Sequence, residues 1–211
     1  DYTFQTFVHE IGHTLGLGHM GNYDGSADFN SQALFANDSW DMSIMSYFSQ
    51  WENPYTDATY SYIPTLMSAD VAALNELYSS YGYGTSNSFA GDTIYGFNTT
   101  ISDYESSIWN NFTNLVSNSS FTITDAGGND TLDLSGFLSD QVVNLQAPEI
   151  SDTALIPSTV GDGVETQNLF FAQGTVVENA FGGYGNDSII GNSTNNHLKG
   201  NYGNDTLTGG A

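Results

Sequence analysis

Three of the chain's four histidines fall in one short run, His9-Glu10-Ile11-Gly12-His13-Thr14-Leu15-Gly16-Leu17-Gly18-His19. On a helix, His9 and His13 stand one turn apart, so both imidazoles project from one face and can bind a single ion. Glu10 lies on the same stretch, able to reach a water on that ion without being a ligand. Gly16 lets the backbone turn sharply with positive φ, so that His19 returns as a third ligand. Three protein ligands leave one position open, the mark of a catalytic rather than a structural zinc. The bland alternative, an amphipathic helix with incidental histidines, does not explain why they sit at the required spacing.

The elements that must carry these groups follow from periodicity. Phe4, Phe7, Val8, Ile11 and Leu15 are spaced by three and four and predict a helix over residues 3–15, ended by Gly16 and Gly18. Residues 20–62 are rich in Asn, Asp, Ser and Tyr without sustained periodicity and read as loops. A second helix is expected at 67–79, with Ser68 as its cap, Asp70 in its first turn, and Val71, Leu74, Leu77 and Tyr78 as its apolar stripe. The small polar stretch Tyr83 to Asn87 divides the chain into units 1–82 and 83–211. In the second unit, short runs such as Thr93-Ile94-Tyr95, Phe121-Thr122-Ile123 and Thr131-Leu132-Asp133-Leu134 predict an all-β fold without helices.

A nine-residue period closes the chain: Gly182 to Ile190, Gly191 to Lys199 and Gly200 to Thr208. The first unit fits G-G-x-G-x-D-x-U-x fully, the middle one has Asn196 where Asp is expected, and the last departs at Asn201. This is the pattern of parallel β-roll repeats. Ile189, Leu198 and Leu207 should point inward as a ladder, and His197 outward with no metal role. Calcium needs six or more oxygens, and one Gly-rich turn with one Asp supplies half a site. Two nonapeptides make one coil, so Asp187 and Asp205 should stack on the same side and enclose an ion. Asn-x-Ser/Thr triplets such as Asn129-Asp130-Thr131 and Asn204-Asp205-Thr206 are by-products of the repeat.

The extended histidine motif is that of metzincins, and the run His9 to His19 resembles the serralysin branch of secreted bacterial zinc proteases. A second match is Ser43-Ile44-Met45-Ser46-Tyr47. The resemblance implies that Met45 lies in a turn beneath the zinc and that Tyr47 is a switching ligand and oxyanion stabiliser, with Glu10 as general base for peptide hydrolysis. Pro64 to Leu74 resembles the helix that closes such a catalytic domain. Further calcium ligands are implied: Asp125, Gly127, Gly128 and Asp130 with carbonyls near Phe89, Gly91 and Thr93, and Val176 and Glu178 with the turn at Asn192, Thr194 and Asn196. The full repeats would add Gly183, Gly185 and Asp187 and, from the last one, Gly200, Tyr202, Gly203 and Asp205.

The fold class is therefore α+β: the C-terminal half of a metzincin catalytic domain followed by a parallel β-roll and β-sandwich. The resemblance implies one catalytic Zn2+, several structural Ca2+ ions, protein or peptide substrates, a monomer, and export by a signal-peptide-independent route. It also implies a longer parent protein, whose other half of the catalytic domain carries the substrate-aligning strand. Two alternatives stay open, a calcium-binding structural or adhesive module with a vestigial zinc site and a zinc hydrolase for a non-peptide substrate.

Composition is consistent with this and closes other doors. The chain has 24 acidic residues against one basic residue, Lys199, and no cysteine. Nucleic acid and anionic membrane surfaces are excluded as partners, because both are bound through Lys and Arg. A net charge of -23 strains a folded chain unless cations bind, and 39% hydrophobic with 14% aromatic content can bury a core. No apolar run approaches the roughly 18 residues that span a bilayer.

Overall fold

The computed structural model describes residues 1–101, 108–148, 156–163 and 165–210. Helix α1 runs Tyr2–Thr14, one residue earlier at each end than its apolar spacing suggests, and the Asp1 side chain accepts the Phe4 N–H. Its end is a Schellman motif: the Gly16 N–H bonds to the His13 carbonyl and the Leu17 N–H to the Gly12 carbonyl, with Gly16 at φ 94°. A short helix α2, Phe29–Gln32, interrupts the loops that follow, and α3 spans Ser68–Tyr78.

Ser68 does not cap α3. Its hydroxyl donates to the Phe171 carbonyl, and the cap is Met67, whose N–H donates to the Asp70 carboxylate. Asp70 is the better acceptor because an ionised carboxylate takes the orphan Met67 N–H more strongly than a hydroxyl would, with oxygens left for Ser43 and Ile44 outside the helix.

Among the described residues nine short strands follow, all paired in parallel: β1 Ile94–Gly96, β2 Phe121–Ile123, β3 Thr131–Asp133, β4 Val142–Asn144, β5 Leu169–Phe171, β6 Asn179–Phe181, β7 Ser188–Ile190, β8 His197–Lys199 and β9 Thr206–Thr208. They form sheets β1-β3-β6-β8 and β4-β7-β9, with β2-β5 as a separate pair. Successive nonapeptides alternate between the two larger sheets. Ser188 therefore pairs with Thr206, and Asn179 with His197.

The inward ladder divides the same way. Val143, Ile189 and Leu207 align in one sheet, and Tyr95, Leu132, Ala180 and Leu198 in the other. Ile189 is fully buried, but Leu207 is 43% exposed, since β9 is covered on one side only among the described residues. His197 is exposed and meets Phe181 edge-on. This unit is not free of helix: a 3-10 turn Trp109–Asn111 leads into α4, Phe112–Val116. Phe112, Leu115 and Val116 are buried there against Phe121 and the other core aromatics. Five residues are too few to give a helical period in the sequence.

One core fills the coiled unit, around Tyr95, Phe121, Leu132 and Phe171. A second joins Leu17, Trp40, Ile44, Met45, Ile63 and Met67 to Phe170 of β5, so side chains from alternate faces of one strand enter both cores. No helix of the described residues is long and apolar enough to cross a membrane.

Candidate active site and ion-binding turns

The three imidazoles of His9, His13 and His19 offer ring nitrogens that all lie within 4.8 Å of one another. Main-chain carbonyls set their orientation. His9 Nδ1 lies 2.8 Å from the Ile44 oxygen, His13 Nδ1 2.9 Å from that of Leu17, and His19 Nδ1 2.9 Å from that of Tyr23. A nitrogen facing a carbonyl carries the proton, so each Nε2 is left as a lone pair. His13 Nε2 and His19 Nε2 stand 3.1 Å apart. Two lone pairs at that distance repel unless a cation sits between them, and a tetrahedral zinc with Zn–N near 2.0–2.1 Å needs its nitrogens ~3.3 Å apart. The donor set and its spacing fit zinc. Burial, more than any charge, pushes His9 below its ordinary pKa, which favours the neutral, ligating form.

The turn around Met45, which is 1% exposed, adjoins the site: Met45 packs on Gly12 of α1 and the neighbouring Ile44 oxygen faces His9. It is held by Asp70, whose carboxylate accepts from Ser43 Oγ at 2.6 Å, from the Ile44 N–H at 2.8 Å and from the Met67 N–H at 2.8 Å. The main chain of Ile44 thus links a buried carboxylate to His9, its N–H to Asp70 and its carbonyl to Nδ1, in the way that outer-shell partners orient metal-binding histidines. A second buried carboxylate, Asp38, accepts from Ser46 Oγ at 2.6 Å and from the Tyr23 hydroxyl at 3.1 Å. Burial first, and then the Asp38 charge, push the Tyr23 phenol up to about 12, so it stays a donor. Its ring stacks on His19 at 5.5 Å. The Tyr47 ring lies 4.4 Å from that of His19 and 6.1 Å from that of His9. Glu10 and Tyr47 line one cleft of about 390 Å³ with His9, Trp40 and Glu52.

The turns of the coiled unit bring the other predicted residues together in three stacks. In the first, the Thr93 N–H donates to Asp130 Oδ1 at 2.7 Å, the Gly127 N–H to Asp125 Oδ1 at 2.8 Å, and Gly128 packs so tightly that a Cβ would lie 2.6 Å from the Gly91 oxygen. Phe89 enters this turn at φ 44°. Asp130 Oδ2 is buried with no hydrogen-bond partner, an orphaned anion that fits a cation. Burial, with the Asp125 and Glu178 charges adding, pushes Asp130 up to about 7. The Glu178 carboxylate belongs to this stack too, accepting the Asp130 N–H at 2.8 Å, while its carbonyl faces Asn196 in the next.

In the second stack, Asn192 Oδ1 accepts from Thr194 Oγ1 at 2.7 Å and from Asn196 Nδ2 at 2.8 Å, next to the Val176–Val177 stretch whose Val177 carbonyl takes the Asn192 amide. Amide donors stand there where the first stack has carboxylates.

In the third, Asp187 Oδ2 accepts the Gly183 N–H at 2.7 Å, and the Asp187 N–H donates to Asp205 Oδ1 at 2.9 Å. The Tyr202 N–H donates to the Gly183 carbonyl, and a Cβ at Gly203 would collide with the Gly185 oxygen, one at Gly200 with the Asp205 carboxylate. Burial, then the Asp205 and Asp140 charges, hold Asp187 above its ordinary range.

Asp38, Asp70, Tyr23 and Asp140 are supporting residues that sequence reasoning did not connect to either site. Asp140 accepts the Asn186 N–H at 2.6 Å from a turn, Leu138-Ser139-Asp140, that lacks the glycine signature. For Asp70 a signal existed, its place in the first turn of α3, but nothing local told that it also reaches Ser43 and Ile44.

Fold and site together fall in the class of metallopeptidases. Residues 1–77 match the family model described as metallo-peptidase family M12B reprolysin-like, and residues 85–208 match that described as peptidase M10 serralysin C terminal. The chain belongs to the serralysin family of metallopeptidases. It is 40% identical to a protein named metallopeptidase AprA from Pseudomonas marginalis, over 94% of this chain and 39% of the relative. It is 38% identical to the metalloprotease AprA of Pseudomonas entomophila and 39% identical to a serralysin of Photorhabdus luminescens, with 94% of this chain covered in both and 39% and 38% of the relatives. The chain thus spans about two fifths of the length of these relatives.

Proposed function

We propose that this chain carries the zinc site of a secreted endopeptidase, in a catalytic part over 1–82 that is the C-terminal half of a metzincin domain, with a calcium-binding β-roll over 83–211. The observation that carries the reading is the convergence of three Nε2 lone pairs, each oriented by a main-chain carbonyl on its Nδ1. His9, His13 and His19 would hold the ion. Zinc bound there supplies Lewis acidity, lowering the pKa of a water toward ~7 and polarising a carbonyl.

Glu10, on the same helix and lining the same cleft, takes the proton of the attacking water and hands it to the leaving amine. Tyr47 donates a hydrogen bond to the oxyanion, whose charge develops only in the transition state, and can act as a further ligand when no substrate is bound. Met45 is the packed floor of the site. The turns at 89–93 with 125–130, at 176–178 with 192–196, and at 183–187 with 200–205 hold calcium and thereby offset the self-repulsion of a chain this acidic. Polypeptides are the substrates.

The test is hydrolysis of casein and of a quenched fluorescent peptide, with zinc removed and restored and calcium held constant. Activity lost with zinc, regained with zinc, and cut by about 10²–10⁴ in Glu10→Gln at unchanged zinc content supports the reading. Hydrolysis that survives Glu10→Gln refutes the assigned mechanism.

A further inference from the structure

The cleft has a second carboxylate that the proposed chemistry does not use. Glu52 lines it with Glu10, Trp40 and Tyr2. Its carboxylate is held rather than swinging free, because Oε2 accepts both the Ser49 N–H at 2.9 Å and the Ser49 hydroxyl at 2.6 Å. Two of the rings that line the cleft, Trp40 and Tyr2, belong to a longer aromatic row: Trp51 to Tyr60 at 5.1 Å, Trp40 to Tyr60 at 5.6 Å, Tyr60 to Tyr62 at 5.8 Å and Tyr62 to Tyr2 at 6.3 Å. Trp51 is 75% exposed and Tyr2 60%. Burial first, and next the Tyr62 hydroxyl, push the Tyr60 phenol up, with the Glu52 charge adding to the shift, so that carboxylate acts on the row.

A fixed carboxylate beside aromatic faces is the surrounding that a guanidinium prefers, since the ring face attracts the cation and the carboxylate pairs with it. The chain cannot supply that cation itself. Its one basic residue, Lys199, lies in β8.

We propose that Glu52 with Trp51, Trp40 and Tyr60 forms a subsite that selects an arginine side chain of the polypeptide held in the cleft. This rests on the peptidase reading and names a substrate preference for it. An exposed ion pair contributes up to about fivefold in affinity, and a cation on an exposed indole roughly two- to fivefold, so arginine should be favoured about tenfold over a neutral residue of the same shape.

Calorimetry on the full chain tests this with two blocked peptides that differ only in arginine against citrulline, after zinc is withdrawn by dialysis against phenanthroline so that nothing is cleaved. The expected result is about tenfold tighter binding of the arginine peptide at low salt, with the preference shrinking as salt rises. Glu52→Gln, which keeps an oxygen for Ser49, should reduce the preference to a few-fold, and Trp51→Leu, a change at an exposed ring, should reduce it by roughly two- to fivefold. Equal binding of the two peptides, or a preference unchanged in Glu52→Gln, overturns the subsite and leaves the peptidase reading standing. Failure of both peptides to bind also overturns the subsite, while the peptidase reading stands or falls by the zinc-dependent hydrolysis and Glu10→Gln.

Discussion

Gly12→Ala separates packing from helix propensity at the heart of the candidate zinc site. In an ordinary helix interior this change stabilises by about 0.5–1 kcal/mol. Here a Cβ on Gly12 would lie 2.5 Å from Met45 Sδ and 3.6 Å from Leu17 Cδ1. Unstrained heavy-atom contacts fall at about 3.5–4.0 Å, so the sulfur must yield by at least about 1 Å. Met is adaptable, but Met45 is 1% exposed and enclosed by the second core, which leaves it little room. Overpacking of this kind costs about 1–3 kcal/mol, and it outweighs the propensity gain. The net expectation is a loss of about 0.5–2 kcal/mol, read as a fall of roughly 1–8 °C in thermal midpoint for a chain this size.

Because Met45 adjoins Ile44, whose carbonyl orients His9, the displacement should also weaken zinc binding by about 10–100-fold, the usual effect of disturbing an outer-shell partner. Thermal unfolding and chelator competition for zinc are the two assays. Gly12→Ala combined with Met45→Ala should lose much less than the sum of the two single changes, since each relieves the other. A Gly12→Ala chain that is more stable by the full propensity gain and binds zinc as before would refute the packing argument.

Other expectations follow from the carboxylates and the turns. Asp70 and Asp41 are pushed up to about 6 by burial, and Asp130 to about 7. Between the ordinary aspartate value and these, the folded chain holds more protons than the unfolded one, so stability falls as pH rises. In a calcium chelator, urea midpoints should drop from about pH 4 to 7, and saturating calcium should remove the Asp130 share; a midpoint that rises with pH in chelator contradicts this. Gly203→Ala, at φ 108° and facing the Gly185 oxygen, should lower calcium-dependent stability by more than about 2 kcal/mol, while Gly209→Ala, with open space around its Cβ, should stay within about 0.5 kcal/mol. Asp38→Asn leaves Ser46 and Tyr23 a weaker acceptor and should raise the zinc dissociation constant severalfold with little change in thermal midpoint, measured by the same competition assay.

Much of this was legible in order along the chain because the decisive relations are local. His9 to His19 is a helix plus one glycine turn, and the nonapeptide period is one coil repeated, so spacing alone specifies both. What escaped depends on contacts between distant segments. Asp70 binds residues 27 and 26 positions away, and Asp38 reaches Tyr23 and Ser46 from a stretch with no periodicity. Helix α4 is a single packed turn, too short to show a helical period within a unit that otherwise reads as all-β. The Ser68 cap failed for a similar reason: a carboxylate one turn on, already engaged by the turn around Met45, outcompetes a hydroxyl whose own partner, the Phe171 carbonyl, lies a hundred residues later.

The imidazoles are aimed by peptide carbonyls at positions 17, 23 and 44 rather than by side chains. Every residue type has a carbonyl, so mutation at those three positions leaves the aiming groups in place as long as the local path of the backbone survives. The candidate zinc centre is thereby insulated from drift in the very loops that surround it, and those loops are free to diversify what they present to the cleft.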